Sequence, residues 1–296
     1  VHKIKGSSMR LNPFNPGSIN VRRGGGGGFP GGGGGKLGCG TIAIALIAAL
    51  VFGVDPGQML GTMEGMQQGT SYQADAPAGE SAAEICDDNQ YATEACNALG
   101  NLNQTWEPLF AQAGIPFQQP ELVFYQGGTR SGCGAASSAM GPFYCPADQG
   151  IYIDTAFYDQ MQRELGAGGD FARYYVIAHE YGHHIQTITG VSNQIRSLQQ
   201  QSPGQANQLQ VLMELQADCY AGVWAGRNRN LIEPGDFEEG MTAASAIGDD
   251  TLARRSGQAA NPESFTHGTS QQRMQALRLG LETGDDTQCD RIMQVG

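Results

Sequence analysis

Five residues whose types and spacing suit metal chemistry stand out in this sequence of 296 residues. His179-Glu180-Tyr181-Gly182-His183 is an H-E-x-x-H motif. On an α-helix, residues four apart lie on one face, so His179 and His183 can aim both imidazoles at one metal ion. Glu180 sits one step around the helix, where it can take a proton from a water activated at that ion. Further on, Glu214-Leu215-Gln216-Ala217-Asp218 offers Glu214 as a third ligand. Asp218, one helical turn later, is placed to orient a ligand histidine through its second ring nitrogen. Two neutral imidazoles and one carboxylate leave a zinc centre with net charge +1 and an open fourth position. A structural zinc site usually has four protein ligands and needs no glutamate beside them, so the pattern favours hydrolytic chemistry.

Such a set works only on rigid helices. Asp170 is a good N-cap, and the run from Phe171 to Ala178 contains neither Pro nor Gly. The helical pattern continues through Ile185 and Ile188 and stops at Gly190. Gln205 to Arg227 reads as a second helix, with Leu209, Leu212, Leu215 and Trp224 as its apolar positions. Upstream, Ile85 to Leu99 looks helical and runs on toward Trp106 and Phe110. Glu121 to Gln126 and Gly150 to Asp154 read as strands, and Thr155 to Leu165 as a helix. Strands before the metal helix and helices after it predict an α+β domain.

The rest of the chain divides by composition. Residues 1–36 hold two glycine runs and read as a flexible tail, in which Met9 is a candidate natural start and Val1 to Ser8 an extension. Residues 37–54 carry no charge and are expected to form one transmembrane helix, with a cleaved signal as its rival. Residues 55–83 read as a linker and 84–296 as the metallopeptidase domain. Six basic residues precede the apolar stretch, and all 29 acids follow it. The positive-inside rule then places the N-terminus in the cytoplasm and the large domain outside the cytoplasmic membrane, periplasmic or extracellular, with the bilayer as a partner. Eleven bases against 29 acids, and no lysine, argue against nucleic acid as a partner of that domain. Six cysteines follow the stretch, as expected for an oxidising compartment. Fifteen pairings are open to them; neighbours in sequence suggest Cys86 with Cys96 and Cys133 with Cys145, leaving Cys219 with Cys289.

With these motifs, the chain resembles a bacterial family of membrane-anchored neutral zinc metallopeptidases of the zincin superfamily. Cys133-Gly134, Gly141 to Pro146, Ile151 to Asp154, Tyr175 to His184, Glu214 to Asp218 and Phe265 to Ser270 carry the resemblance. It implies a zincin-like domain, Zn²⁺ as cofactor and peptide or protein as substrate. The order of the two metal motifs is similar to that of gluzincins. Thr266-His267, with Arg273 six residues later, resembles the T-H-P-x-x-x-x-R stretch of prenyl-protease-like members, and the resemblance makes His267 a candidate donor to an oxyanion. Gly268 stands where that pattern has proline. Together these features predict a membrane-anchored zinc endopeptidase with Glu180 as general base. A non-catalytic zinc-containing envelope protein and a zinc hydrolase of non-peptide cell-wall amides are the alternatives.

Overall fold

The computed structural model describes residues 9–25 and 80–294. Among the described residues the first α-helix, α1 (Ala82–Cys86), opens on a capping box in which the Ser81 and Glu84 side chains satisfy each other's backbone N–H groups. Helix α2 (Gln90–Ala113) starts at the Asn89 cap and ends at Gly114, in the left-handed conformation. It buries Leu99, Leu102, Trp106 and Phe110 at helical spacing. Four short strands form the main sheet: β1 (Asn20–Arg23), β2 (Glu121–Phe124), β5 (Phe143–Cys145) and β6 (Gly150–Ile153), in the order β1-β2-β6-β5. The first three are parallel and β5 runs antiparallel along β6. All four residues of β6 are buried, as expected for a strand covered on both faces. A hairpin of β3 (Gly128–Ser131) and β4 (Gly134–Ser137) stands beside the sheet.

Helices then take over. Helix α3 (Ala156–Leu165) leads to α4 (Asp170–Ile188), the bearer of H-E-x-x-H. After α5 (Val191–Gln201) comes α6 (Ala206–Arg227), followed by α7 (Asp236–Ala246), α8 (Asp249–Arg255), α9 (Ser270–Thr283) and α10 (Asp286–Asp290). The core centres on α4 and α6, with Phe171, Tyr175, Tyr181 and Trp224 among its largest side chains. Trp224 donates its indole N–H to Asn101 of α2 at 2.6 Å, and Tyr181 donates its hydroxyl to Asn103 at 2.8 Å. Three disulfides, Cys86–Cys96, Cys133–Cys145 and Cys219–Cys289, tie α1 to α2, the hairpin to β5, and α6 to α10. These are the pairings that neighbouring cysteines suggested.

Two glycines set the distance between the site helices. A Cβ on Gly182 would lie 2.8 Å from Cα of Ala217, so α4 and α6 touch backbone to backbone at the level of the metal motif. On the other side of α6, a Cβ on Gly280 of α9 would sit 2.0 Å from the Cys219 carbonyl oxygen. Gly182→Ala is therefore expected to push α4 from α6, to lower stability by about 1–3 kcal/mol and to weaken zinc binding. Melting curves with and without zinc measure both effects, and identical curves would show the contact to be slack.

The expectation of an α+β zincin-like domain behind a single transmembrane helix is corrected by this architecture. The described residues are mostly helical, and the strands are stretches of three or four residues. The two strands read from sequence are present as β2 and β6, but too little chain joins them to make a sheet layer of comparable weight. Among the described residues no helix is long and apolar enough to cross a membrane. The stretch 37–54 itself lies outside the described residues, as does most of the linker at 55–83.

The N-terminal tail also departs from expectation. Residues 9–25 pack on the domain, with Met9 and Ile19 buried and Asn20–Arg23 paired in parallel register with Glu121–Phe124. Strand β1 precedes residues 37–54 and β2 follows them. Composition hid the strand because it is a polar edge: Arg22 pairs with Glu121 at 2.6 Å and Arg23 with Glu80 at 2.6 Å.

Candidate metal centre

The residues singled out in sequence converge on one cavity of about 720 Å³, lined by His179, Glu180, His183, Glu214, His267 and Arg273 among others. Helix α4 presents His179 and His183 on one face, their ring centroids 4.8 Å apart. From α6, Glu214 places Oε2 3.1 Å from His179 Nε2 and Oε1 3.5 Å from His183 Nε2. Ligands held about 2.0–2.1 Å from a tetrahedral zinc ion lie roughly 3.3–3.4 Å from one another, so the three donors are spaced to take one. Together His179, His183 and Glu214 form a group able to hold a metal ion. Their protonation fits this. Burial opposes charge on His179, yet Asp218 and Glu214 push it up to about 10; burial likewise works against Glu214, but the two histidines hold it well below the usual carboxylate range. In the absence of metal the cluster gathers protons where a cation would sit.

Behind the donors stands a fully buried polar network. Asp218 Oδ1 lies 2.7 Å from His179 Nδ1 and accepts the Tyr175 hydroxyl at 2.5 Å. Arg273, reaching in from α9, donates to both oxygens of Asp218 at 2.8 and 2.9 Å. Asp218 is 0 % and Arg273 1 % exposed, which makes this a bidentate ion pair shut away from water. The arrangement fixes the Nδ1–H tautomer of His179 and leaves Nε2 for a ligand bond. His183 has its own support: Nδ1 lies 2.9 Å from Oε1 of Gln186, whose amide donates to the Met213 carbonyl at 2.7 Å. Gln210 donates to Glu214 Oε1 at 3.0 Å.

Glu180 lines the cavity beside the donors, and burial raises its carboxyl pKa against the pull of both histidines. A carboxylate of raised basicity suits a proton acceptor. His267 faces the same cavity from the loop between α8 and α9. Its Nδ1 lies 3.2 Å from Asp249 Oδ1, while Asp249 Oδ2 accepts the backbone N–H groups of Thr266, His267 and Gly268. That leaves Nε2 as the nitrogen available to a bound molecule. Gly268 has φ +86° and donates its N–H to Asp249, two things a proline could not do. The departure from the T-H-P pattern therefore belongs to this loop's own geometry.

His184 turns away from the donors. It is buried between the Tyr144 hydroxyl, 3.1 Å from Nδ1, and the Gln118 carbonyl, 2.7 Å from Nε2, and burial pushes it down to about 4. It pins α4 to β5 as a neutral side chain. Sequence reasoning passed over Gln186, Gln210 and Asp249. Gln186 and Gln210 fall at helical spacing from His183 and Glu214, a signal that was there to use; Asp249 has none, because a fold-back of the loop brings it to His267.

Converging donors on two helices, a neighbouring glutamate and an open cavity make this a candidate metal site. The chain belongs to the family described as "Putative neutral zinc metallopeptidase", whose profile it matches over residues 14–292. It is similar to the protein YpfJ of Escherichia coli strain K12, with 46% identity over 260 residues and 86% of each chain covered. A second relative is Rv2575 of Mycobacterium tuberculosis strain H37Rv, 36% identical over 259 residues, covering 82% of this chain and 84% of that one. No solved structure matches. Membership of a zinc peptidase family implies zinc as the cofactor.

Proposed function

We propose that this chain is a zinc endopeptidase in which His179, His183 and Glu214 hold the metal, Glu180 is the general base and His267 the oxyanion donor. The observation that carries the reading is the donor spacing of 3.1 and 3.5 Å beside a buried glutamate in an open cavity. Bound there, zinc supplies Lewis acidity toward water and the scissile carbonyl. The protein's own groups do the rest. Glu180 takes the water's proton and passes it to the departing amine. His267, oriented by Asp249, donates from Nε2 to the carbonyl oxygen as it gains charge. Asp218, Tyr175 and Arg273 hold His179 in the ligating tautomer throughout.

A peptide substrate is favoured by the cavity wall. Strand β5 is a sheet edge and contributes Phe143 and Tyr144 to the lining, so the backbone of an extended peptide has an edge to pair with. The three disulfides support an oxidising compartment as the place of work. Incubating zinc-loaded protein with a peptide library and reading new termini by mass spectrometry tests the reading. Cleavage that a hydroxamate blocks is expected; tight zinc binding with no new termini would sink it in favour of a non-catalytic zinc protein.

His267→Ala gives a separate prediction. It should lower kcat by about 10²–10³-fold with zinc content unchanged. Steady-state kinetics on one cleaved peptide checks this, and a change confined to KM would remove His267 from the oxyanion role.

A further inference from the structure

Beyond the metal donors, α5 makes one wall of the cavity. Ser192, Ile195, Arg196 and Gln199, at helical spacing, turn one face of that helix into it. Between Glu180 and Glu214 the sequence holds no Asp or Glu, and Arg196 is the single Arg or Lys there. In a chain with 29 acids against 17 bases, this sets one guanidinium on an otherwise neutral wall. Arg196 is exposed, and among the described residues its side chain has no ion pair or hydrogen bond. The other arginine of the cavity, Arg273, is committed to Asp218 at 2.8 and 2.9 Å. The polar groups beside Arg196 are engaged with one another: the Gln199 amide donates to the Ala206 carbonyl at 3.1 Å, and the Ser192 hydroxyl lies 3.3 Å from that of Thr187.

Side-chain contacts tie this wall to the metal donors. Thr187, one turn after His183 on α4, donates its hydroxyl to the His183 carbonyl at 3.0 Å and meets Ser192, one turn before Arg196. Gln199, on the next turn, donates to Gln210 at 3.4 Å, and Gln210 donates to Glu214. Arg196 thus stands two helical steps of about 5–6 Å each, and one hydroxyl contact, from His183. An extended peptide advances about 3.3 Å per residue, so after its own reach the guanidinium meets a group about three residues from the bond at the metal. The hairpin and β5 line the same cavity with Ala135, Ala136, Met140 and Phe143, an apolar surround that strengthens pairing of charges. The group that matches a planar guanidinium fork is a carboxylate. We propose that Arg196 is a specificity-determining residue, selecting substrates that carry a carboxylate about three residues from the cleaved bond, on a side chain or at the chain terminus. The inference rests on the endopeptidase reading and gives it a substrate class.

The test gives the zinc-loaded full chain pairs of amidated peptides that differ only in Glu or Gln at each position around a cleaved bond. A free-acid form of each Gln peptide is added. At one position the parent chain should cleave the Glu member about 5–20-fold better in kcat/KM, with the gain in KM. Where the recognised carboxylate is the chain terminus, the gain appears in the free acid instead, with cleavage at a fixed distance from the end. The ratio within a pair does not depend on how much of a preparation is folded, so it stays readable in a less stable variant. Arg196→Gln should bring the ratio to unity and Arg196→Lys should keep part of it. Arg196→Glu should invert it, in favour of a Lys peptide. Added salt should shrink the ratio of the parent chain and leave that of Arg196→Gln flat. Equal cleavage within every pair by the parent chain would overturn the proposal and leave the endopeptidase reading standing. A preference for Glu that Arg196→Gln retains would do the same. No cleavage of any peptide would refute the endopeptidase reading, and the carboxylate selection with it.

Discussion

Glu180→Gln is expected to lose peptide hydrolysis by about 10²–10⁴-fold while binding zinc as tightly as the parent chain. The separation follows from the geometry. Glu180 is not among the three donors that converge, and it lies beside them on the wall of the same cavity. The amide is close in size to the carboxylate, so packing around α4 is kept, and removing a charge that burial already disfavours leaves stability level or slightly higher. What disappears is the proton acceptor. Zinc content by elemental analysis, melting temperature and turnover of a cleaved peptide measure the three quantities on one sample. Hydrolysis at the parent rate would exclude Glu180 as the base, and loss of zinc would show it to be a ligand.

How much of this was legible in the sequence depended on whether the information was local. Helices α4 and α6 were readable because their caps, apolar periodicity and chemistry agree within a single stretch; the Asp170 start differs from expectation only in that Asp170 is the first helical residue and Gly169 the cap. The three disulfides joined cysteines as their order in sequence suggested. The fold class was not readable. Strand β1 is a polar edge held by ion pairs with Glu121, 99 positions from Arg22, and Glu80, 57 positions from Arg23, and nothing in Asn20–Arg23 alone records those partners. Likewise the role of Asp249 depends on a loop that returns to it at Thr266–Gly268. The parallel pairing of β1 with β2 is likewise a long-range fact that composition cannot hold.

Asp218→Asn should produce the largest loss of stability of any change at the site. In the folded protein this carboxylate meets Arg273, His179 and Tyr175, and although burial works against its charge, Arg273 and His179 hold its pKa down to about 2. The folded value lies below that of an unfolded aspartate, so the contribution is full above about pH 4 and fades as pH falls toward 2. The asparagine keeps the shape but leaves the Arg273 charge buried and unpaired, a loss of about 3–5 kcal/mol. Zinc affinity should fall about 10–100-fold, because His179 loses the group that fixes its tautomer. A second substitution separates these effects. Adding Arg273→Met removes the stranded charge, so the double variant should regain much of the stability of Asp218→Asn. It should not regain zinc affinity, since His179 still lacks its acceptor. Urea unfolding of the metal-free proteins and zinc competition with a chelator measure the two separately. Recovery of both together would make Asp218 a partner of Arg273 alone, and recovery of neither would show that the network acts as one unit whose members cannot be exchanged singly.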